Sequence, residues 1–253
     1  MPTGNAIVDR AIAAHGGEER FRQVGALDLT WTFRGTMFKV RLREGQLRGL
    51  RARIHTGEPR VTITGYPRPE ASALFTPSRV QIDTPGVPAS FLDDPRRAFG
   101  SPRTIVWWTD LEMLYFAGYV LWNYAQLPFL LLQPGLEFQG AGTTTRAGEV
   151  WDKVEVVFPD GVPTHSPRQT FYFGPDGLLR RHDYSVGVLS RLARGARYIH
   201  AYQDVGGLKL ASRIEIKLGA WGESQVPWPS LGFVDLDDVT LVPAEDMEPT
   251  NPA

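Results

Sequence analysis

The 253-residue sequence predicts a mainly β protein of the α+β class, built on one curved antiparallel sheet with a single aromatic helix buried against it. Three observations predict it. Short runs of alternating apolar and polar residues recur from Leu27 to Val242 with turn residues between them. No strand alternates with helices in βαβ fashion, so a dinucleotide-binding fold does not fit. One stretch, from Met113 to Leu136, carries no charge and is apolar on every side of a helix.

The elements follow in chain order. Residues 5 to 22 read as an amphipathic helix with Asn5 as cap and Ile7, Ala11, Ala14 and Phe21 near helical spacing. Gly16 and Gly17 break it, so it ends at His15 and restarts at Glu18. Leu27, Leu29, Trp31 and Phe33 then share one strand face. After a turn at Gly35, Phe38, Val40 and Leu42 read as a second strand, and Gly45 closes a hairpin into Leu47–Ile54. Val61–Thr64, Ala73–Phe75 and Val80–Ile82 continue the meander. Residues 84 to 103 hold Pro85, Pro88, Pro95 and Pro102 and read as an irregular loop, either a lid or an Ω-type excursion. Thr109 with Glu112 three residues on is a capping box, which starts a helix at Asp110, and Pro128 ends it near Leu127. This inserted segment spans 105 to 134. Val150–Phe158, Gln169–Phe173, Leu178–Val188, Ala196–Asp204, Ser212–Leu218 and Phe233–Val242 complete the strands, and the tail 244–253 reads as frayed. The whole chain is read as one domain.

Composition excludes several functions. With no cysteine there is no disulfide, thiol nucleophile or Cys-ligated metal. A net charge of −1 argues against a nucleic-acid footprint; Arg41, Arg43, Arg48, Arg51 and Arg53 read as a solvated strand face. Walker A, Gly-x-Gly-x-x-Gly and Gly-x-Ser-x-Gly are absent. Asn123, Gln126, three tyrosines and Pro128 argue against stable membrane insertion of the apolar helix. Asp9 and Arg10 interrupt the N-terminus where a signal peptide would be apolar, so the expected compartment is the cytoplasm.

Two groups of residues can carry function. In the hairpin 178–204, His182 and Tyr184 share one strand face, and Tyr198, His200 and Tyr202 share a face of the next. With the turn centred near Arg191, Tyr184 lies opposite Tyr198 and His182 opposite His200, their Cβ atoms ~5 Å apart. His182 and His200 would then be an acid–base pair, with Tyr184 and Tyr202 orienting or stabilising. The same rings can also simply fill a wide barrel. A zinc or iron site from His182, His200 and Glu215 or Asp183 lacks tight ligand spacing, and no metal or other cofactor is expected. His15-Gly16-Gly17 reads as a C-capping turn or as an imidazole at a helix end. The second group lies on the inserted helix. Tyr115, Tyr119 and Trp122 occupy adjoining turns, forming either the wall of a ligand cavity or plain core. Trp31, Phe33 and Tyr198 extend such a wall, and Arg213 would hold an anionic group.

The segments AIAAHGGEERFRQV, YFAGYVLWNYAQLPFLL, RRHDYSV and ARYIHAYQDVGGLKLASRIEI, with Trp151 near a strand start, span most of the chain. They resemble a cytoplasmic bacterial branch of the lipoprotein-localisation-factor (LolA/LolB-like) superfamily. The resemblance implies an unclosed β-barrel whose concave face is covered by helices and holds lipid acyl chains. Lipoprotein transport does not carry over, because the sequence lacks both an export signal and a lipobox cysteine. The expected function is binding of a hydrophobic small molecule or lipid in the concave cavity. The alternative is a cofactor-free lyase, isomerase or cyclase using the His/Tyr cluster, and a third reading uses the apolar helix to meet a partner.

Overall fold

The computed structural model describes residues 3–99, 101–146, 148–186, 194–219 and 225–247. Two short helices, α1 (Ala6–Ala14) and α2 (Glu18–Arg22), open the chain. Asn5 caps α1 by accepting from the amides of Ile7 and Val8. Strand β1 (Val24–Arg34) is followed by a single helical turn, α3 (Thr36–Lys39), and then by β2 (Leu50–His55), β3 (Val61–Thr64), β4 (Ser72–Phe75), β5 (Arg79–Thr84) and β6 (Val87–Asp93). A short helix α4 (Pro95–Ala98) leads to the long helix α5 (Asp110–Gln126). The second meander comprises β7 (Glu137–Arg146), β8 (Glu149–Val157), β9 (Arg168–Phe173), β10 (Leu179–Ser185), β11 (Arg194–Val205), β12 (Leu208–Gly219) and β13 (Gln225–Pro243).

Among the described residues these strands form one antiparallel sheet in the order β6-β5-β4-β3-β2-β1-β13-β12-β11-β10-β9-β8-β7. The last strand returns to pair with the first, which joins the two meanders at the centre. The outermost strands β6 and β7 do not pair with each other, so the sheet curls without closing. That order explains where α5 lies. The chain leaves the sheet at one edge, β6, and re-enters at the opposite edge, β7, by a single connection. The 17-residue helix α5, about 25 Å long, lies within that connection. Its packing on β2, β3, β4, β5 and β12 fixes which face it covers.

The helix forms where the sequence predicts it. The Thr109 hydroxyl accepts from the Glu112 amide and the Glu112 carboxylate accepts from the Thr109 amide, a complete capping box. Pro128 has no amide hydrogen to continue the ladder. Every residue from Glu112 to Gln126 is buried. Glu112 is buried as an ion: burial alone would raise its pKa, but bonds from Arg103 and Thr109 hold it below the usual value. No helix among the described residues is long and apolar enough to cross a membrane.

Five expectations are corrected. Phe38, Val40 and Leu42 are not a strand. A helical turn places Met37 and Phe38 side by side in the core and leaves Val40 and Leu42 exposed, Leu42 with φ 56°. Arg41 and Arg43 are not a solvated face. Arg41 is buried with its guanidinium 4.4 Å from the Trp108 ring centroid, and Arg43 pairs with Asp110 at 2.5 Å, clamping this turn to the start of α5. The loop 84–103 contains strand β6, whose Pro88 is tolerated because the strand is an edge. The segment before Val150 contains β7, hidden by Gly140, Gly142 and a run of threonines. The tail begins with an ordered turn, since the Ala244 amide bonds Gln23 O at 2.8 Å; residues 248–253 lie outside the described residues.

Candidate functional site

The interior beneath α5 contains a polar cluster inside an apolar shell. The shell is aromatic: Phe116 lies 6.0 Å from Phe33 and 4.9 Å from Trp108, and Tyr115 lies 5.8 Å from Phe75 and 5.7 Å from Phe99, centroid to centroid. The polar cluster joins three parts of the chain. Tyr119 and Tyr124 come from α5, His165 from the loop between β8 and β9, and His182, Tyr184 and Arg197 from the hairpin β10–β11. Tyr124 and Tyr184 share a hydroxyl–hydroxyl bond of 2.5 Å. The His165 ring stacks on Tyr184 at 3.9 Å and its Nδ1 lies 3.1 Å from the Tyr119 hydroxyl. The His182 ring stacks on Phe171 at 4.3 Å, with Nε2 2.5 Å from Gln169 Oε1. Gln169 donates its amide to Ser166 O, so its Oε1 accepts and His182 carries its proton on Nε2.

Arg197 lies directly across the ladder from His182. It is 1% exposed, and neither its Nε nor its Nη1 reaches a hydrogen-bond partner among the described residues. No carboxylate pairs with it there; its guanidinium sits 4.3 Å from the Tyr124 ring centroid. Leaving a guanidinium buried and unpaired costs on the order of several kcal/mol, whereas a desolvated cation–π contact contributes only about 2 kcal/mol. Burial lowers the Arg197 pKa, yet an arginine stays charged. Its charge acts on its neighbours. Burial, reinforced by Arg197, pushes both His165 and His182 well below the ordinary histidine value, so both are neutral at pH 7. Burial pushes Tyr184 well up and Tyr124 up to about 12, so the phenols keep their protons.

The hairpin register differs from the expected one. Tyr184 pairs with Gly195, not Tyr198, an offset of three residues. An odd offset exchanges the faces of the second strand. Tyr198 and His200 therefore lie on the side away from His182. Tyr198 packs 5.4 Å from the Arg181 guanidinium, and His200 is half exposed and bonds Glu215 at 2.8 Å. An irregularity between Ile199 and Ala201 shifts the alternation by one residue. Tyr202 thereby turns toward His15, with its hydroxyl donating to Leu179 O at 2.6 Å. The expected turn near Arg191 lies outside the described residues.

The other expected residues divide in the same way. Tyr115, Tyr119, Trp31 and Phe33 face the interior. Trp122 is buried but points elsewhere, donating to His55 O and Glu58 O at the β2–β3 turn. Arg213 is exposed and 3.5 Å from Asp235, outside the concave face. Arg181, Asp183 and Tyr172 form an ion-pair cluster on the side away from His182. His15 is buried at the end of α1, its Nδ1 2.8 Å from Ala11 O, and burial lowers its pKa to about 4.

A cleft of about 320 Å³ opens at the rim, lined in part by Arg96, Tyr115, Phe158, Val162 and Thr164. Tyr115 touches Tyr119 at 5.7 Å, and Thr164 precedes the buried His165. A single layer of rings separates this cleft from the polar cluster. A wider groove of about 920 Å³ lies on the outer face, lined by Asp28, Arg51, Arg53 and Thr62 among others.

No protein-family model and no curated protein matches this chain. Solved structures do. A domain from Vibrio parahaemolyticus described as an outer membrane lipoprotein-sorting protein superposes with a TM-score of 0.54 at 9% identity, over 93% of this chain and 90% of that one. A LolA superfamily protein from Nitrosomonas europaea gives a TM-score of 0.52 at 11% identity, over 96% and 94%. The chain has the LolA-like fold. A DUF1329 family protein from Desulfovibrio piger gives a TM-score of 0.50 at 10% identity, over 93% and 92%. At these identities the likeness fixes the fold alone: an open LolA-like sheet with a covering helix, as the sequence words suggested.

Proposed function

We propose that this LolA-like chain binds a hydrophobic small molecule or lipid between α5 and the concave face. One observation carries the reading. The rim cleft beside Tyr115 is one ring layer from an interior whose wall, α5, is a single covering helix bonded to the opposite side through Tyr124 and Tyr184. In the form described the rings are in contact, so a ligand enters by lifting α5 and replacing ring contacts with its own apolar surface. The enzymatic alternative has lost its acid–base pair, since His200 lies on the other face from His182.

Native mass spectrometry of the purified protein, combined with displacement of the neutral dye N-phenyl-1-naphthylamine by long-chain lipids, tests the reading. A retained apolar mass or saturable displacement is expected. If neither is found, the proposal fails.

A further inference from the structure

We infer that Arg197 is the anion-binding residue of this cavity, and that the ligand is an amphiphile with a carboxylate head, such as a long-chain fatty acid. This rests on the proposed hydrophobic-ligand site and specifies its ligand.

Three observations carry it. Arg197 is buried on β11 opposite His182, two of its donor nitrogens unpartnered and no acid paired with it among the described residues. A guanidinium offers a planar donor fork that matches a carboxylate. The residues around it are built to leave it uncompensated: phenols that keep their protons and histidines that are neutral. The group that does cover the guanidinium is Tyr124, and Tyr124 belongs to α5. Lifting the helix therefore bares the cation and opens the apolar wall in one movement. A fatty-acid carboxylate takes the position of the Tyr124 ring on Arg197, and its chain lies along the aromatic side of α5 toward Tyr115 and the rim cleft.

The two histidines contribute differently. His165 Nε2 has no partner, and it is a donor toward the head when the Tyr119 hydroxyl donates to Nδ1. His182 holds its proton on Nε2 against Gln169, so its unpartnered Nδ1 is a lone pair and does not favour an anion. The charge that selects the head is therefore that of Arg197.

The test compares palmitate with hexadecanol as displacers of N-phenyl-1-naphthylamine, in the wild-type chain and in Arg197→Met and Arg197→Lys. In the wild type palmitate should act at a concentration about tenfold lower than hexadecanol, as expected for a charge-assisted hydrogen bond in a dry site. The ratio should fall to near one in Arg197→Met and be kept only in part in Arg197→Lys, which lacks the planar fork. Without ligand, Arg197→Met should melt above the wild type, because it removes an unpaired buried charge; a structural arginine would give the opposite. Equal action of palmitate and hexadecanol on the wild type overturns the inference and leaves hydrophobic binding standing. No dye binding and no displacement by either overturns both. Acetate protecting the wild type from heat as well as palmitate does would mean a site for small free anions, and would overturn the amphiphile. If neither variant folds, the wild-type palmitate-to-hexadecanol ratio decides alone.

Discussion

At the scale of single residues, the interior is set by neutral polar groups held where water is excluded. His15, His165 and His182 are all pushed below the ordinary histidine value of 6.5, chiefly by burial. Such a group takes up a proton in the unfolded chain before it does in the folded one. Its contribution to stability is therefore complete above about pH 6.5 and is lost as pH falls toward the folded value. For His15, with a folded value of about 4, the loss amounts to about 3 kcal/mol by pH 4. The buried carboxylates Glu112 and Glu215 titrate lower, both held below their ordinary values by bonds from their neighbours, whereas burial pushes the partly buried Asp183 up. Urea midpoints should be flat between pH 7 and 8 and fall steadily between pH 6.5 and 4.5. His15→Leu should make that fall shallower. A midpoint that holds level to pH 4.5 would contradict the burial of these imidazoles.

At the scale of elements, α5 rests on β4 through a position with no room. A Cβ at Gly118 would lie 2.4 Å from both Cβ and Cγ of Phe75. Helix propensity favours alanine over glycine by about 1 kcal/mol, but overpacking a filled core costs about 1–3 kcal/mol. The clash involves the root of the Phe75 side chain, which cannot swing aside, so overpacking wins. Gly118→Ala should lower the urea midpoint; a raised midpoint would mean that α5 does not approach β4 this closely.

The elements also show what a sequence can and cannot say. The ends of α5 were legible because they are local chemistry: Thr109, Glu112 and Pro128 act within one turn. Strands β3 and β4 were legible because their alternation matches a half-buried pleat. Strand β7 was not, since Gly140, Gly142 and Thr143–Thr145 carry no apolar alternation. The turn at α3 was misread because Phe38, Val40 and Leu42 alternate by accident, and tertiary burial selected Met37 and Phe38 instead. In the hairpin β10–β11 the face of His182 and Tyr184 was readable strand by strand, but its register depends on a loop whose turn the sequence does not fix. The wrong register hid Arg197, the residue directly opposite His182. His165 gave no periodic signal at all, sitting between Pro163 and Pro167 in a loop.

At the scale of the whole molecule, topology and chemistry meet. The first meander of this sheet ends at one edge and the second begins at the other, and the connection between them packs on the sheet through α5. The connection used is a buried aromatic helix, closed over an uncompensated cation by Tyr124. The same open sheet carries a charged groove on its outer face, where Arg53 pairs with Asp28 at 2.7 Å. An acidic amphiphile therefore has two charged destinations, the interior beneath α5 and the outer groove. Photo-crosslinking with a palmitate bearing a mid-chain diazirine, mapped by peptide mass spectrometry, distinguishes them. Label on α5 between Tyr115 and Tyr124 and on the inner residues of β9–β11, competed by unlabelled palmitate, is the predicted result. Label confined to the outer groove around Arg51, Arg53 and Thr62, or none that unlabelled palmitate removes, would contradict a ligand site beneath α5.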